Sequence, residues 1–196
     1  GKLDWDRPVR EYLTGFRLYD EAATDRLTPR DMVTHRSGLP RHDALWYNSP
    51  FTRVQMVERL RHLEPSKDLR QTYQYNNLMF MTAGYLAGQL AGTTWEDLVA
   101  QRVFVPLGMK STNTSVQASQ KSADFAKPYM KAKEEIVEVP FRVIDNVGPA
   151  GSINSNIEDM TQYLKMQMNQ GKADGKQLLS VSNAGQMQMP QMVIQG

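Results

Sequence analysis

The sequence contains no cysteine, which excludes disulfide bonds, thiolate zinc sites and a cysteine nucleophile. It also lacks an excess of one charge, because 23 lysines and arginines nearly balance 21 aspartates and glutamates and leave a net charge of +2. This balance argues against a nucleic-acid partner, which needs a basic surface. Since 40% of the 196 residues are hydrophobic and 22% are charged, the chain has the composition of a globular protein with a substantial core.

A hydrophobic run long enough to cross a membrane is lacking as well. Residues 71–95 carry no charge, but Thr82 and Gln89 interrupt their apolar part, and a membrane span needs about 20 apolar residues. We therefore predict a central helix that is buried on all sides. Gly84 and Gly88 are four residues apart on this helix and would allow another part of the backbone to approach closely.

Strand patterns are scarce, whereas helix caps are frequent. The sequence predicts helices that begin at the caps Thr28, Ser49, Thr94 and Ser155. Residues 136–143 alternate between apolar and polar side chains, but Pro140 restricts them to an edge strand or an extended loop. Residues 127–138 carry mixed charges and are expected to lie on the surface. The predicted fold class is mainly α, with six or seven helices.

Few residues suggest chemistry by themselves. His35, His42 and His62 fall on different predicted elements, which disfavours a metal site, and we predict neither a metal nor a cofactor. There remains Tyr73-Gln74-Tyr75-Asn76-Asn77 at the start of the uncharged helix. These residues either form a site or merely supply an N-cap, with Tyr75 packed beside it. The residues alone favour the cap.

Several segments occur in a characteristic order. They are residues 1–9 (GKLDWDRPV), 32–40 (MVTHRSGLP), 75–77 (YNN), 83–85 (AGY), 106–112 (PLGMKST) and 148–152 (GPAGS). In this order the chain resembles the serine β-lactamases and penicillin-binding-protein-like hydrolases. The similarity is strongest to the class C-like branch, which includes esterases and D-amino-acid peptidases, and it extends from residue 1 to about residue 180.

The resemblance implies acyl transfer through a serine ester. In this family the serine and lysine of an S-x-x-K motif lie on one face of a helix, about one turn apart. Tyr75 and Asn77 match the second motif, Y-x-N, whose tyrosine shuttles a proton and whose asparagine positions the lysine and the substrate. The third motif, K-T-G or H-x-G, lines the opposite wall from the edge of a sheet.

The first and third motifs are missing from this sequence, in which no lysine has a serine three residues before it. We therefore expect an internal piece, cut at both ends, of an α+β serine β-lactamase-like domain. Residues 1–180 would form its helical part, and residues 181–196 would be a truncated continuation toward a sheet that is largely missing. The piece itself is expected to be inactive, because it has neither nucleophile nor lysine.

The resemblance predicts part of a serine hydrolase that acts on an ester, a β-lactam or a D-amino peptide. Tyr75 would be its catalytic residue and Asn77 would bind substrate, with no metal. The predicted partners are a small-molecule or peptide substrate and the remainder of the same domain, in the periplasm or outside the cell. A non-catalytic binding or scaffold protein of the same fold is the alternative, and a helical bundle with an accidental resemblance is a third hypothesis.

Overall fold

A computed structural model describes residues 1–194 of the chain. The described part is mainly helical, as predicted. Its α-helices are α1 (Glu21–Arg26), α2 (Pro29–Val33), α3 (Arg53–Arg59), α4 (Asn77–Ala91), α5 (Trp95–Val99), α6 (Val116–Ser119), α7 (Ile157–Met168) and α8 (Val181–Gln188). Single 3-10 turns cover Val9–Glu11, Asp43–Leu45, Leu60–His62 and Asp145–Ala150, and a π-helical turn covers Ala100–Phe104.

Helix α4 is the central helix that the uncharged segment predicts. Every residue from 76 to 88 is at least partly buried, and α4 packs against α2, α3, α5 and the 3-10 turn Asp145–Ala150. The main core surrounds it with the fully buried side chains Val9, Leu27, Met32, Met56, Leu60, Leu78, Met79 and Met81. In the described part of the chain, no helix is both long and apolar enough to cross a membrane.

The two glycines of α4 allow the close approach that their spacing predicts. A Cβ atom at Gly84 would overlap the side chain of Pro149. A Cβ atom at Gly88 would lie 2.8 Å from the carbonyl oxygen of Thr93, closer than real side chains come. The 3-10 turn and the segment that follows α4 therefore pack directly against the helix backbone at these positions.

We expect Gly84→Ala to destabilise the protein by about 1–3 kcal/mol, because an added methyl group in a closely packed contact forces the neighbours apart. The matched control is Gly185→Ala on α8, where no atom lies within 4 Å of the added Cβ. That change should be neutral or stabilising by up to about 1 kcal/mol, since alanine favours helix more than glycine does. Urea unfolding of both variants measures the difference, and equal midpoints would contradict the prediction.

Two of the predicted helix caps are correct. Thr28 accepts a hydrogen bond from the backbone N–H of Asp31, whose carboxylate accepts one from the Thr28 N–H in return, and this reciprocal capping box begins α2. Thr94 caps α5 through the N–H of Asp97.

The other two predicted caps are wrong by a few residues. Helix α3 begins after Thr52 rather than Ser49, because Thr52 and Gln55 form a reciprocal capping box. Helix α7 begins after Asn156 rather than Ser155, and the Oδ1 atom of Asn156 accepts from the N–H of Asp159 at 2.9 Å. The hydroxyl of Ser155 instead hydrogen-bonds with that of Thr112. Neighbouring residues compete to cap a helix. At α3 the local capping box of Thr52 and Gln55 decides, and at α7 the Ser155 hydroxyl is held by Thr112 while Asn156 caps.

The strand that the structure contains near residues 136–143 is shorter than predicted and begins one residue earlier. Strand β2 (Glu135–Glu138) pairs antiparallel with β1 (Tyr129–Ala132), an exposed hairpin within the segment predicted to lie on the surface. The hairpin ends before Pro140, as expected from the missing N–H of proline. A second small hairpin joins β3 (Lys172–Ala173) to β4 (Lys176–Gln177).

Helix α7 exposes one apolar face, although Met166 on the same helix is buried. Ile157, Met160, Leu164 and Met168 lie on one face of the helix, and they are 80%, 42%, 57% and 75% exposed. An apolar stripe of this kind ordinarily faces a core. Residues 181–196, the predicted continuation toward a sheet, begin as α8, and residues 195–196 lie outside the described part.

Candidate active site

Tyr75 lies in the loop that leads directly into α4. Its side chain is 42% exposed, whereas the next residue, Asn76, is completely buried. Asn77 is the first residue of α4 and is half-buried. The structure thus brings the two predicted site residues to the same end of the central helix, on either side of a buried residue.

Asn76 is the N-cap of α4. Its Oδ1 atom accepts a hydrogen bond from the backbone N–H of Met79 at 2.9 Å. Its Nδ2 atom donates to the carbonyl oxygens of Leu39 and Pro40 at 3.0 and 2.7 Å. The N-cap interpretation is therefore correct for Asn76, and it leaves Asn77 free of that role. The same side chain ties the start of α4 to residues 39–40.

His35 holds the backbone on both sides of Tyr75. The N–H of Gln74 donates to the His35 carbonyl oxygen at 2.7 Å, and the N–H of Asn76 donates to His35 Nδ1 at 3.0 Å. His35 has a φ of 56°, in the left-handed region that few side chains favour. The chain turns at His35, and the hydrogen bonds of this residue connect the turn to the segment that carries Tyr75.

The imidazole of His35 is also surrounded by aromatic rings. Its centroid lies 4.5 Å from that of Tyr75, 4.9 Å from that of Phe80 and 5.4 Å from that of Tyr73. Burial lowers the pKa of His35 below the usual histidine value, because a low-dielectric environment disfavours the charged ring. The neutral ring with its proton on Nε2 is the form that can accept the Asn76 N–H.

A cation lies against the face of Tyr75. The guanidinium carbon of Arg41 is 5.1 Å from the centroid of the phenol ring, a geometry in which the ring attracts the charge. Arg41 Nε donates to Asp43 at 2.7 Å, and the other carboxylate oxygen of Asp43 accepts from Trp46 Nε1 at 3.0 Å. These contacts connect the loop after Pro40 to the exposed phenol.

An open groove of about 340 Å³ lies beside this cluster of aromatic rings. Phe80 contributes to its wall together with Trp5, Val33 and Thr34. Because Phe80 also packs on His35, the groove and the aromatic cluster share a residue. The volume is within the usual range for small-molecule pockets.

A buried carboxylate joins the two segments that carry His35 and Tyr75. Asp31 has no exposed side-chain surface, and it accepts hydrogen bonds from Arg36 at 2.6 Å and from Arg70 at 2.9 and 3.0 Å. Thr28 donates two more. Burial by itself would raise the pKa of Asp31, but the hydrogen bonds from Arg70, Thr28 and Arg36 hold that pKa below its usual value.

Sequence reasoning identified Tyr75 and Asn77 but missed Arg41, Arg70 and the long-range role of Asp31. Asp31 takes part in the local capping box with Thr28, but it also binds Arg70, 39 residues later, and no local pattern predicts that contact. Arg41 directly follows the segment 32–40, which the resemblance singled out. Among residues 1–194, no three histidine, aspartate or glutamate side chains come close enough together to hold a metal ion.

Known structures have the same arrangement of helices. An octameric penicillin-binding protein homologue from Pyrococcus abyssi superposes with a TM-score of 0.79 at 21% identity, over 96% of this chain and 44% of that one. A D-stereospecific amidohydrolase from a Streptomyces species superposes with a TM-score of 0.77 at 22% identity, over 96% of this chain and 58% of that one. These similarities show the serine β-lactamase fold.

The sequence comparisons show the family. The family model described as Beta-lactamase matches residues 1–192, so the chain belongs to the Beta-lactamase family. A curated relative, the unguisins hydrolase ungD' of Aspergillus campestris, is 32% identical over an alignment of 170 residues, and the alignment covers 83% of this chain and 32% of that protein. This chain therefore spans about a third of the length of that relative.

Proposed function

We propose that this chain is the helical part of a serine hydrolase that forms an acyl-enzyme on an ester, a β-lactam or a D-amino peptide. Tyr75 is its proton shuttle, and Asn77 positions the lysine and the substrate. The observation that carries the proposal is that Tyr75 has an exposed phenol on a firmly held backbone. Its phenol is exposed, while the backbone N–H groups of both neighbouring residues are held by His35.

The proposed chemistry needs a proton carrier at a fixed place. The serine oxygen forms a bond to the substrate carbonyl carbon while its proton passes to Tyr75 and the lysine. The proton then passes to the leaving group as the bond to that group breaks. In the second step water bonds to the acyl carbon, its proton passes through Tyr75 to the serine oxygen, and the bond between that oxygen and the acyl carbon breaks. The Arg41 guanidinium packs against the ring of Tyr75, 5.1 Å from its centroid, and helps to hold the phenol in place.

The nucleophile and the sheet belong, in this proposal, to parts of the same domain outside these 196 residues. Two observations support it. The sequence has no S-x-x-K, K-T-G or H-x-G motif, and α7 exposes an apolar stripe that the rest of a domain would cover. Residues 1–180 are the helical part in this proposal, and residues 181–196 lead toward the sheet. The periplasmic or secreted location stays a prediction from the resemblance.

The relatives support the substrate classes. One relative is named as a hydrolase of unguisins and one structural neighbour as a D-stereospecific amidohydrolase, so both names describe hydrolases. Both proteins are longer than this chain, and what they act on is carried over here only as a proposal.

The isolated 196-residue chain is expected to show no turnover of nitrocefin or of a p-nitrophenyl ester. The protein encoded by the complete gene is expected to hydrolyse at least one ester, β-lactam or D-amino acid amide. Both proteins are assayed at equal concentration, with hydrolysis in buffer as the baseline. If the isolated chain turns over a substrate and Tyr75→Phe abolishes that turnover, the proposal that the nucleophile lies outside these 196 residues is contradicted. A complete gene without an S-x-x-K motif, and a product that turns over none of these substrates, would favour the non-catalytic binding or scaffold protein.

A further inference from the structure

His35 combines three features at one position. It has a left-handed backbone conformation, it accepts hydrogen bonds from the N–H groups of Gln74 and Asn76, and its ring packs on that of Tyr75 at 4.5 Å. The two amides belong to the residues immediately before and after Tyr75. The position of the exposed phenol is therefore determined from both sides and from beneath by a single residue.

We propose that His35 is a positioning residue that fixes the phenol of Tyr75 for proton transfer. The inference rests on the catalytic role proposed for Tyr75, and His35 itself exchanges no proton with substrate. A bond to the carbonyl oxygen of residue 35 would survive any substitution that keeps the backbone conformation. The bond from Asn76 needs an acceptor on the side chain, and the packing needs a flat ring.

Loss of the His35 side chain would leave the N–H of Asn76 without its acceptor. Asn76 is completely buried, and a buried N–H without an acceptor is unfavourable. In His35→Ala the loop must therefore move to let water reach this N–H, and Tyr75 moves with it. In His35→Asn the side-chain oxygen can again accept, and asparagine tolerates the left-handed conformation better than most residues do.

Protonation of His35 should have the same effect as removing its acceptor. In the charged imidazole both nitrogens are donors, so Nδ1 would face the Asn76 N–H donor to donor. The rings of Tyr73 and Tyr75 are the titratable groups that pack on His35, and Arg41 is the charged group on Tyr75. Because burial lowers the pKa of His35, the bond from the Asn76 N–H to Nδ1 persists at a pH near the usual histidine pKa, about 6.5. It is lost only at lower pH.

Amide hydrogen exchange of the 196-residue chain tests the positioning without any catalysis. In His35→Ala we expect the protection of the Asn76 amide to fall by about 10-fold or more, the equivalent of one lost hydrogen bond. The protection of amides within α4, such as that of Leu86, should not change. His35→Asn should keep the Asn76 protection within about 3-fold of the wild type. The matched control is His62→Ala, an exposed histidine, which should change nothing at Asn76.

The protein encoded by the complete gene supplies the second readout. His35→Ala is expected to lower kcat for an ester by about 10-fold with little change in KM, because the phenol is displaced rather than the substrate. His35→Asn is expected to restore most of the loss. Its pH profile should also lack the wild-type fall at low pH that His35 protonation causes, because asparagine does not titrate.

Four outcomes separate the two proposals. Unchanged Asn76 protection in His35→Ala would overturn the positioning role, as would equal loss of protection in His35→Asn. If His35→Ala does not fold, the wild-type Asn76 protection measured from pH 8 to pH 4 decides, and a pH-independent value overturns the role. If His35→Ala exposes the amide but Tyr75→Phe leaves kcat unchanged, the proposed function fails, and with it the catalytic meaning of His35.

Discussion

Tyr75→Phe in the protein encoded by the complete gene is expected to lower kcat by about 10²–10⁴-fold, the usual worth of a positioned acid–base group. Phenylalanine keeps the ring that packs on His35 and faces Arg41, so the change removes little besides the hydroxyl. Since the role proposed for the hydroxyl is in the transition state, kcat and kcat/KM should fall by similar factors. Steady-state kinetics with a p-nitrophenyl ester and with nitrocefin measure both.

Tyr129→Phe is the matched control. Tyr129 is another exposed tyrosine, on β1, with 57% of its surface exposed against 42% for Tyr75. Tyr129→Phe should leave kcat within about 2-fold of the wild type, because a surface hydroxyl away from the site contributes nothing to the activation barrier of the reaction. An unchanged kcat in Tyr75→Phe would remove Tyr75 from the mechanism.

Asp31→Ala is expected to destabilise the protein by about 3–5 kcal/mol, because it leaves the guanidinium groups of Arg36 and Arg70 without their buried counter-charge. The hydrogen bonds from Thr28 are lost at the same time. The matched control is Glu11→Ala, which breaks the exposed pair of Arg7 and Glu11 four residues apart. That pair should contribute only about 0.3–0.5 kcal/mol. Urea unfolding at neutral pH compares the two variants.

The pH dependence of stability separates the charge of Asp31 from its shape. The pKa of Asp31 is lowered in the folded protein, so its charge stabilises the fold above the ordinary aspartate value of 3.8. This contribution is lost as the pH falls from that value through the lowered pKa. Asp31→Asn keeps the shape but has no charge to lose, so its stability deficit should shrink in the same pH range. A deficit independent of pH would contradict the charged role.

Local patterns were sufficient for much of the helical fold. The charge-free segment predicts α4, and the spacing of Gly84 and Gly88 predicts a close approach to the helix, whose partners in the structure are Pro149 and Thr93. The caps Thr28 and Thr94 are correct because each side chain reaches an N–H three residues further along the chain. The caps at Ser49 and Ser155 are wrong because a better-placed acceptor, Thr52 or Asn156, lies a few residues further along the chain.

The sequence by itself determined the family, the central helix and the two candidate site residues, because each of these depends on residue types at short, regular spacings. Only the tertiary structure decided what surrounds Tyr75. His35 and Arg41 come to it from other segments of the chain, and the nearby pairing of Asp31 with Arg70 spans 39 residues. Such contacts arise from the packing of α2 and the following loops on α4, and their geometry is not encoded in any local pattern.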